Sequence, residues 1–110
     1  MSGTLARATA EAYVDAVNAV DLDGLVELFA EGAVLDHAFG TFEGTEAIRA
    51  FYAENVLAFT PQVASSDWLE QGRTVTFHLE ASVDGATSQT VDHLTVDDAG
   101  LITHLEVGFR

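Results

Sequence analysis

The 110-residue chain carries 4 Lys plus Arg against 18 Asp plus Glu, for a formal charge of −14 with 48% hydrophobic residues. That size closes one hydrophobic core and not two, so one domain over residues 1–110 is expected. The charge disfavours nucleic acid and anionic membranes as partners and leaves a neutral, apolar small molecule as the expected ligand, while the absence of Cys excludes disulfides, thiolate catalysis and Cys-held metal.

Residues 1–12 show no basic start followed by an apolar run, so no leader is expected. No stretch reaches the roughly 18 apolar residues of a membrane span, and a cytoplasmic location is the expectation. Leu5, Ala8, Ala12, Ala16, Val17 and Val20 recur at intervals of three and four, which predicts a first helix with Tyr13 on or beside its buried face. Asp21 is placed to cap a second, short helix carrying Leu22, Leu25, Val26 and Phe29, with Gly32 as its left-handed stop. Gly44-Thr45 opens a third helix that aligns Ile48, Phe51, Tyr52 and Val56.

After Pro61 the period changes to two. In TVTFHLEASVDG, Val75, Phe77, Leu79, Ala81 and Val83 point one way while Thr76, His78, Glu80 and Ser82 point the other. TSQTVDHLTVDDAG follows, turning at Asp98-Ala99-Gly100, and LITHLEVGFR closes the chain with Leu105, Val107 and Phe109 in phase. Helices first and long strands later predict an α+β fold, with helices on one face of a curved sheet and a pocket between them.

Strand alternation also sorts the polar groups. In AVLDHAFG, Leu35, His37 and Phe39 share the bulkier apolar face, whereas Asp36 shares the other with Val34 and Ala38. Asp36 and His37 are therefore not a pair reaching into one site. Asp92 is in phase with Leu94 and Val96, and His93 with Thr95. An acid among apolar residues is expected to have a raised pKa and to stay protonated as a hydrogen-bond donor. Three inward polar groups emerge: Tyr13, His37 and Asp92. Each also has a plain structural role open to it, as a satisfied core histidine, a packed tyrosine or an acid bonding a loop amide.

EAYVDAVNAVDLDGLVELFAEGAVLDHAFG, GTEAIRAFYAEN and VDHLTVDDAGLITHLEVGF together resemble bacterial steroid delta-isomerases (ketosteroid isomerases), of the SnoaL-like, nuclear-transport-factor-2-like (NTF2-like) superfamily. The resemblance spans residues 10–60 and 85–109 and is weakest over 61–72. It implies a single SnoaL-like domain shaped as an NTF2-like cone, with three N-terminal helices on a curved mixed or antiparallel sheet. The superfamily also holds cyclases, dehydratases, epoxide hydrolases and non-enzymes, so fold alone does not give the reaction.

Carried over by that resemblance, Tyr13 and Asp92 are the oxyanion donors and Tyr52 supports Tyr13. In the isomerases the acid in that role is kept neutral by its apolar site, so the resemblance implies a protonated Asp92 that donates a hydrogen bond. Phe29, Leu35, Phe39, Phe77, Leu79, Leu105, Val107 and Phe109 are expected to line the substrate pocket. Where the isomerases have an aspartate base followed by proline, this chain has His37 followed by Ala38. An imidazole is well matched to neutral pH, so His37 is the expected base for moving a double bond in a steroid-like or polyketide-like ketone. The alternatives are a dehydratase or cyclase using a His37–Asp92 dyad, or a pocket that binds an apolar ligand without chemistry. An epoxide hydrolase is disfavoured because Arg7, Arg49, Arg73 and Arg110 all fall outside the inward sets. His37, His78, His93 and His104 do not cluster by spacing, so no metal is expected, nor any other cofactor. The resemblance further implies a homodimer and, with the last matched strand running to Phe109, an open pocket mouth.

Overall fold

Thr4 starts the first helix by accepting the Arg7 backbone N–H on its hydroxyl at 3.1 Å. The computed structural model describes residues 4–110; the first three residues of the stretch read for a leader lie outside it. Helix α1 (Leu5–Asn18) buries Ala6, Thr9, Ala10, Tyr13, Val14, Ala16 and Val17. This corrects the expected stripe, because Leu5, Ala8, Ala12 and Val20 are not among the buried residues. Alanines occupy several faces of this helix and carry little directional signal, so the bulk of Tyr13, Val14 and Val17 decides which side packs.

Asp21 caps α2 (Leu22–Glu27) by accepting the Gly24 N–H at 3.0 Å. The helix stops sooner than its apolar spacing predicts, and Phe29 opens strand β1 (Phe29–His37). The cause is tertiary: the Ile102 N–H donates to the Leu28 carbonyl at 2.8 Å and Phe29 pairs with Ile102, so the sheet captures the chain. Gly32 does not end a helix; at φ +80° it sits inside β1, where the register with the last strand shifts between Phe29 and Val34.

The order continues with β2 (Gly40–Glu43), α3 (Thr45–Asn55), a 3₁₀ turn (Leu57–Phe59), β3 (Gln62–Gln71), β4 (Thr74–Val83), β5 (Ala86–Val96) and β6 (Ile102–Phe109). The sheet runs β2-β1-β6-β5-β4-β3, with β1 parallel to β6 and every other pair antiparallel. The fold is thus α+β, with three helices on a six-stranded mixed sheet that does not close.

Strand β3 (Gln62–Gln71) lies in the segment where the resemblance is weakest. Its phase changes at Asp67, which adopts φ +56° where the β3–β4 register shifts between Ser66 and Leu69. The shift leaves Leu69 exposed and lays Trp68 flat on Phe77, with centroids 4.5 Å apart and planes 15° apart. The Arg7 guanidinium covers the same indole at 4.2 Å.

One lateral row of the sheet positions the site. Phe77 on β4 pairs with Asp92 on β5, Asp92 with Val107 on β6, and Val107 with His37 on β1. Paired residues on neighbouring strands point to the same face, so these side chains form one line facing the helices. Behind the row, Leu25, Leu35, Ile48, Leu94, Ile102 and Leu105 are fully buried. Among the described residues no helix is long and apolar enough to cross a membrane.

Candidate functional site

Between the helices and the inner face of the sheet lies a cavity of about 240 Å³. Helix α1 contributes Tyr13 and Val17, α3 contributes Phe51, Tyr52 and Asn55, and the sheet contributes His37, Leu79, Asp92 and Val107. Phe39 and Phe109, 6.0 Å apart and each more than half exposed, form the rim together with Phe59. The volume falls just short of the roughly 300 Å³ at which pockets for drug-sized molecules begin, so a ligand of steroid size would extend through this mouth.

Tyr13 and Tyr52 face each other from α1 and α3, their hydroxyls 2.9 Å apart and their rings edge to face at 78°. Burial holds both phenols well above their ordinary pKa, with the nearby Asp92 carboxyl adding to the rise. Both are therefore neutral at physiological pH. When Tyr52 donates to Tyr13, the Tyr13 hydrogen is free to reach a ligand.

Asp92 has no solvent exposure. Its Oδ1 accepts the Thr90 hydroxyl at 2.9 Å, and its Oδ2 is buried without a hydrogen-bond partner. Burial pushes its pKa up to about 7, against the opposing pull of the Thr90 bond. A buried unpartnered carboxyl oxygen on a cavity wall is a costly feature that a ligand would relieve.

His37 is half-buried at the end of β1, its ring 4.8 Å from Phe51 and 4.9 Å from Phe39. Burial lowers its pKa, which keeps the ring neutral at pH 7. Its Nδ1 accepts the Phe39 backbone N–H at 3.3 Å. Asp36 points to the opposite face, as alternation predicts. There it lies 2.8 Å from His104 Nε2 and accepts the Thr41 hydroxyl at 2.7 Å, and these bonds hold its carboxyl below the usual range.

Two expectations need correction. His37 and Asp92 share no hydrogen bond, because Val107 stands between them in the lateral row and two strand spacings separate their backbones by about 10 Å. A directly bonded His37–Asp92 dyad is therefore absent from the described residues. Of the eight expected lining residues, Phe39, Leu79, Val107 and Phe109 face the cavity, whereas Phe29, Leu35, Phe77 and Leu105 are buried in the core outside it. Trp68 covers Phe77, and Phe29 packs against Tyr52 with centroids 6.0 Å apart.

Ala81, Val83, Ser88 and Thr90 also face the cavity. Alternation could have found them, since they continue the phases of Leu79 and Asp92. Asn55 follows Phe51 and Tyr52 at helical spacing on α3, whereas Phe59 and Pro61 carry no such signal, because the turn after α3 brings them there. None of the four arginines lines the cavity. Among the described residues no group of three or more His, Cys, Asp or Glu is placed to hold a metal.

The model of the SnoaL-like domain matches residues 10–105. RV0760c from Mycobacterium tuberculosis has the same fold, at 22% identity over 100% of this chain and 94% of that one, with a TM-score of 0.84. Its complex with estradiol-17beta-hemisuccinate also matches, with a TM-score of 0.82 at 22% identity over 98% of this chain and 95% of that one. A computationally designed 17-OHP binder matches at 21% identity and TM-score 0.86, over 99% of this chain and 93% of that one. SalBIII, an epoxide hydrolase/cyclase-like enzyme of pyran ring formation in the polyether salinomycin, matches at 21% identity and TM-score 0.85, over 96% and 90%.

Proposed function

The chain belongs to the SnoaL-like family, and on that premise we propose that it is a ketosteroid-isomerase-like proton-transfer enzyme acting on an apolar steroid-like or polyketide-like ketone. The observation that carries this reading is the convergence of the bonded Tyr13–Tyr52 pair and the unpartnered Asp92 oxygen on one apolar cavity. Tyr13 donates to the ketone oxygen and to the enolate that forms from it, while a titratable group on the sheet, Asp92 or His37, moves the proton. A single well-placed donor of this kind contributes roughly 3 to 4 kcal/mol to such a reaction. The steroid ligand of RV0760c and the steroid-binding design support a ligand of that shape.

The likeness to SalBIII favours a second reading, a cyclase or dehydratase, in which the same tyrosine polarises a carbonyl of a polyketide-like chain. The absence of a bonded His37–Asp92 pair argues against the dyad version of it. A homodimer through the outer face of the sheet and a cytoplasmic location complete the proposal; sedimentation velocity tests the former.

Isomerisation of 5-androstene-3,17-dione, followed by the absorbance of the conjugated product, tests the reaction. Activity that falls with Tyr13→Phe supports it. An inert protein that binds the ketone and the phenolic dienolate mimic equilenin equally would instead make the chain a hydrophobic-ligand-binding module.

A further inference from the structure

Asp92 Oδ2 is a buried acceptor without a partner, and among the described residues no cationic side chain lines the cavity to supply one. The chain contains no lysine, and three of its four arginines are engaged elsewhere: Arg7 with Glu11 and Glu70, Arg49 with Asp23, and Arg73 with Asp98. Arg110 follows the last strand and is not in the lining. The acid therefore faces a space without a positive side chain, inside a molecule whose formal charge of −14 attracts cations and repels anions.

The remaining walls suit a cation as well. Tyr13, Phe51 and Tyr52 present buried rings and Phe39, Phe59 and Phe109 surround the mouth, and an aromatic face attracts a cation held within about 6 Å of its centre. The Tyr13–Tyr52 bond can run in either direction, so when Tyr13 donates to Tyr52 its own oxygen is left to accept from a ligand. Two acceptors then face the cavity, Asp92 Oδ2 and the Tyr13 oxygen, and a protonated secondary amine has two N–H groups to match them. Folding has already stripped Asp92 of water, so such a ligand desolvates only its own charge on entry.

Beyond the ketone reading, we infer that the cavity is a binding site for protonated apolar amines, in which Asp92 Oδ2 pairs with the ammonium and the aromatic walls take its hydrocarbon arms. The cavity of about 240 Å³ encloses an amine of two fused rings. The ionisable groups around Asp92 are Tyr13 on α1 and Tyr52 on α3, both neutral phenols, and His37 on β1, two strands away. Strands β3, β4, β5 and β6 bring no other ionisable side chain to the cavity. Asp92 ionises at about 7, and an alkylammonium keeps its proton to about pH 10, so the amine selects the ionised acid and displaces its proton. Its affinity should rise about tenfold per unit between roughly pH 5 and 7 and level off above that range. A ketone accepts from the protonated acid and should follow the opposite trend.

Calorimetric titration of the intact protein with 2-(methylamino)tetralin and with 2-tetralone, the ketone of the same ring system, tests this. At about pH 8 the amine should bind at least about tenfold more tightly than the ketone, the worth of one charged hydrogen bond. At about pH 6, in buffers of differing ionisation enthalpy, it should release about one proton per molecule bound, and the ketone none. Asp92→Asn keeps the side chain's shape; it should weaken the amine by at least about tenfold, abolish the proton release and leave the ketone within about threefold. Equal binding of amine and ketone at the higher pH overturns the inference, and so does proton release that survives in Asp92→Asn, which would assign the titration to His37. Failure of the ketone to bind or of the androstenedione to isomerise would sink the isomerase reading alone, and the amine titration still decides this one.

Discussion

The two faces of the sheet use the same residue types to opposite ends. On the outer face, His104 bonds Asp36 at 2.8 Å, His93 bonds the Thr76 hydroxyl at 2.9 Å, and His78 lies 3.0 Å from an Asp67 oxygen. On the inner face, Asp92 leaves one oxygen unbonded and His37 bonds only a backbone N–H. Most outer polar groups find partners along the strand or in water, His78 Nδ1 being buried without a hydrogen bond, and their pairs contribute little to stability. Inner ones are held against a cavity by the packing of the helices, where an unsatisfied group is costly and a ligand alone can satisfy it. Binding capacity resides where the fold withholds partners.

The largest break in this contrast comes from the packed end of the lateral row. Phe77→Ala removes a fully buried ring beneath Trp68 and should destabilise the fold by about 3–5 kcal/mol, read as a fall in the denaturation midpoint. Tyr13→Phe keeps the ring and deletes the hydroxyl. It should lower isomerisation by about 10²–10³-fold with a small change in melting temperature.

Asp92 sharpens the contrast through pH. Its folded pKa of about 7 lies above its ordinary value, so between roughly pH 4 and 7 the folded state binds more protons than the unfolded one. Stability should therefore fall as pH rises through that window, by a few kcal/mol in all, and level off above it. Asp92→Asn should flatten that decline in urea titrations taken across the window; an unchanged slope would mean that another group titrates.

The outer face should respond least. His104→Ala removes the main partner that holds the Asp36 pKa down, a contribution present above the ordinary carboxylate pKa and lost as pH falls through the lowered one. Because the pair is exposed, the change in melting temperature at pH 7 should be the smallest of the series and shrink further in about 0.5 M salt. A large loss here would mean that this face is covered in solution.

Much of this was legible in the chain. Alternation in β1, β4, β5 and β6 needs only a period of two, and it placed Asp92 inward with Leu94 and Val96 and turned Asp36 away from His37. The helix starts at Asp21 and Gly44 were readable because capping is local chemistry. Strand β3 was not, since the positive φ at Asp67 flips its phase halfway. Phe29 followed the helical spacing of α2 until its pairing with Ile102, 73 residues away in the chain, made it a strand residue. The pocket lining carried over by the resemblance was too broad, because neither resemblance nor strand phase tells which stretch of the inner face the helices leave uncovered.

The sequence by itself determined the class of fold, the sidedness of its strands and the identity of three inward polar groups, because these follow from periodicity and local backbone chemistry. Tertiary structure alone decided that Tyr13 and Tyr52 meet at 2.9 Å, that Val107 separates His37 from Asp92, and that the Phe39 N–H bonds His37 Nδ1. Those are relations between elements distant in the chain or between a side chain and the turn that follows it, and hydrogen bonding and packing set them only once the sheet and helices have closed on each other.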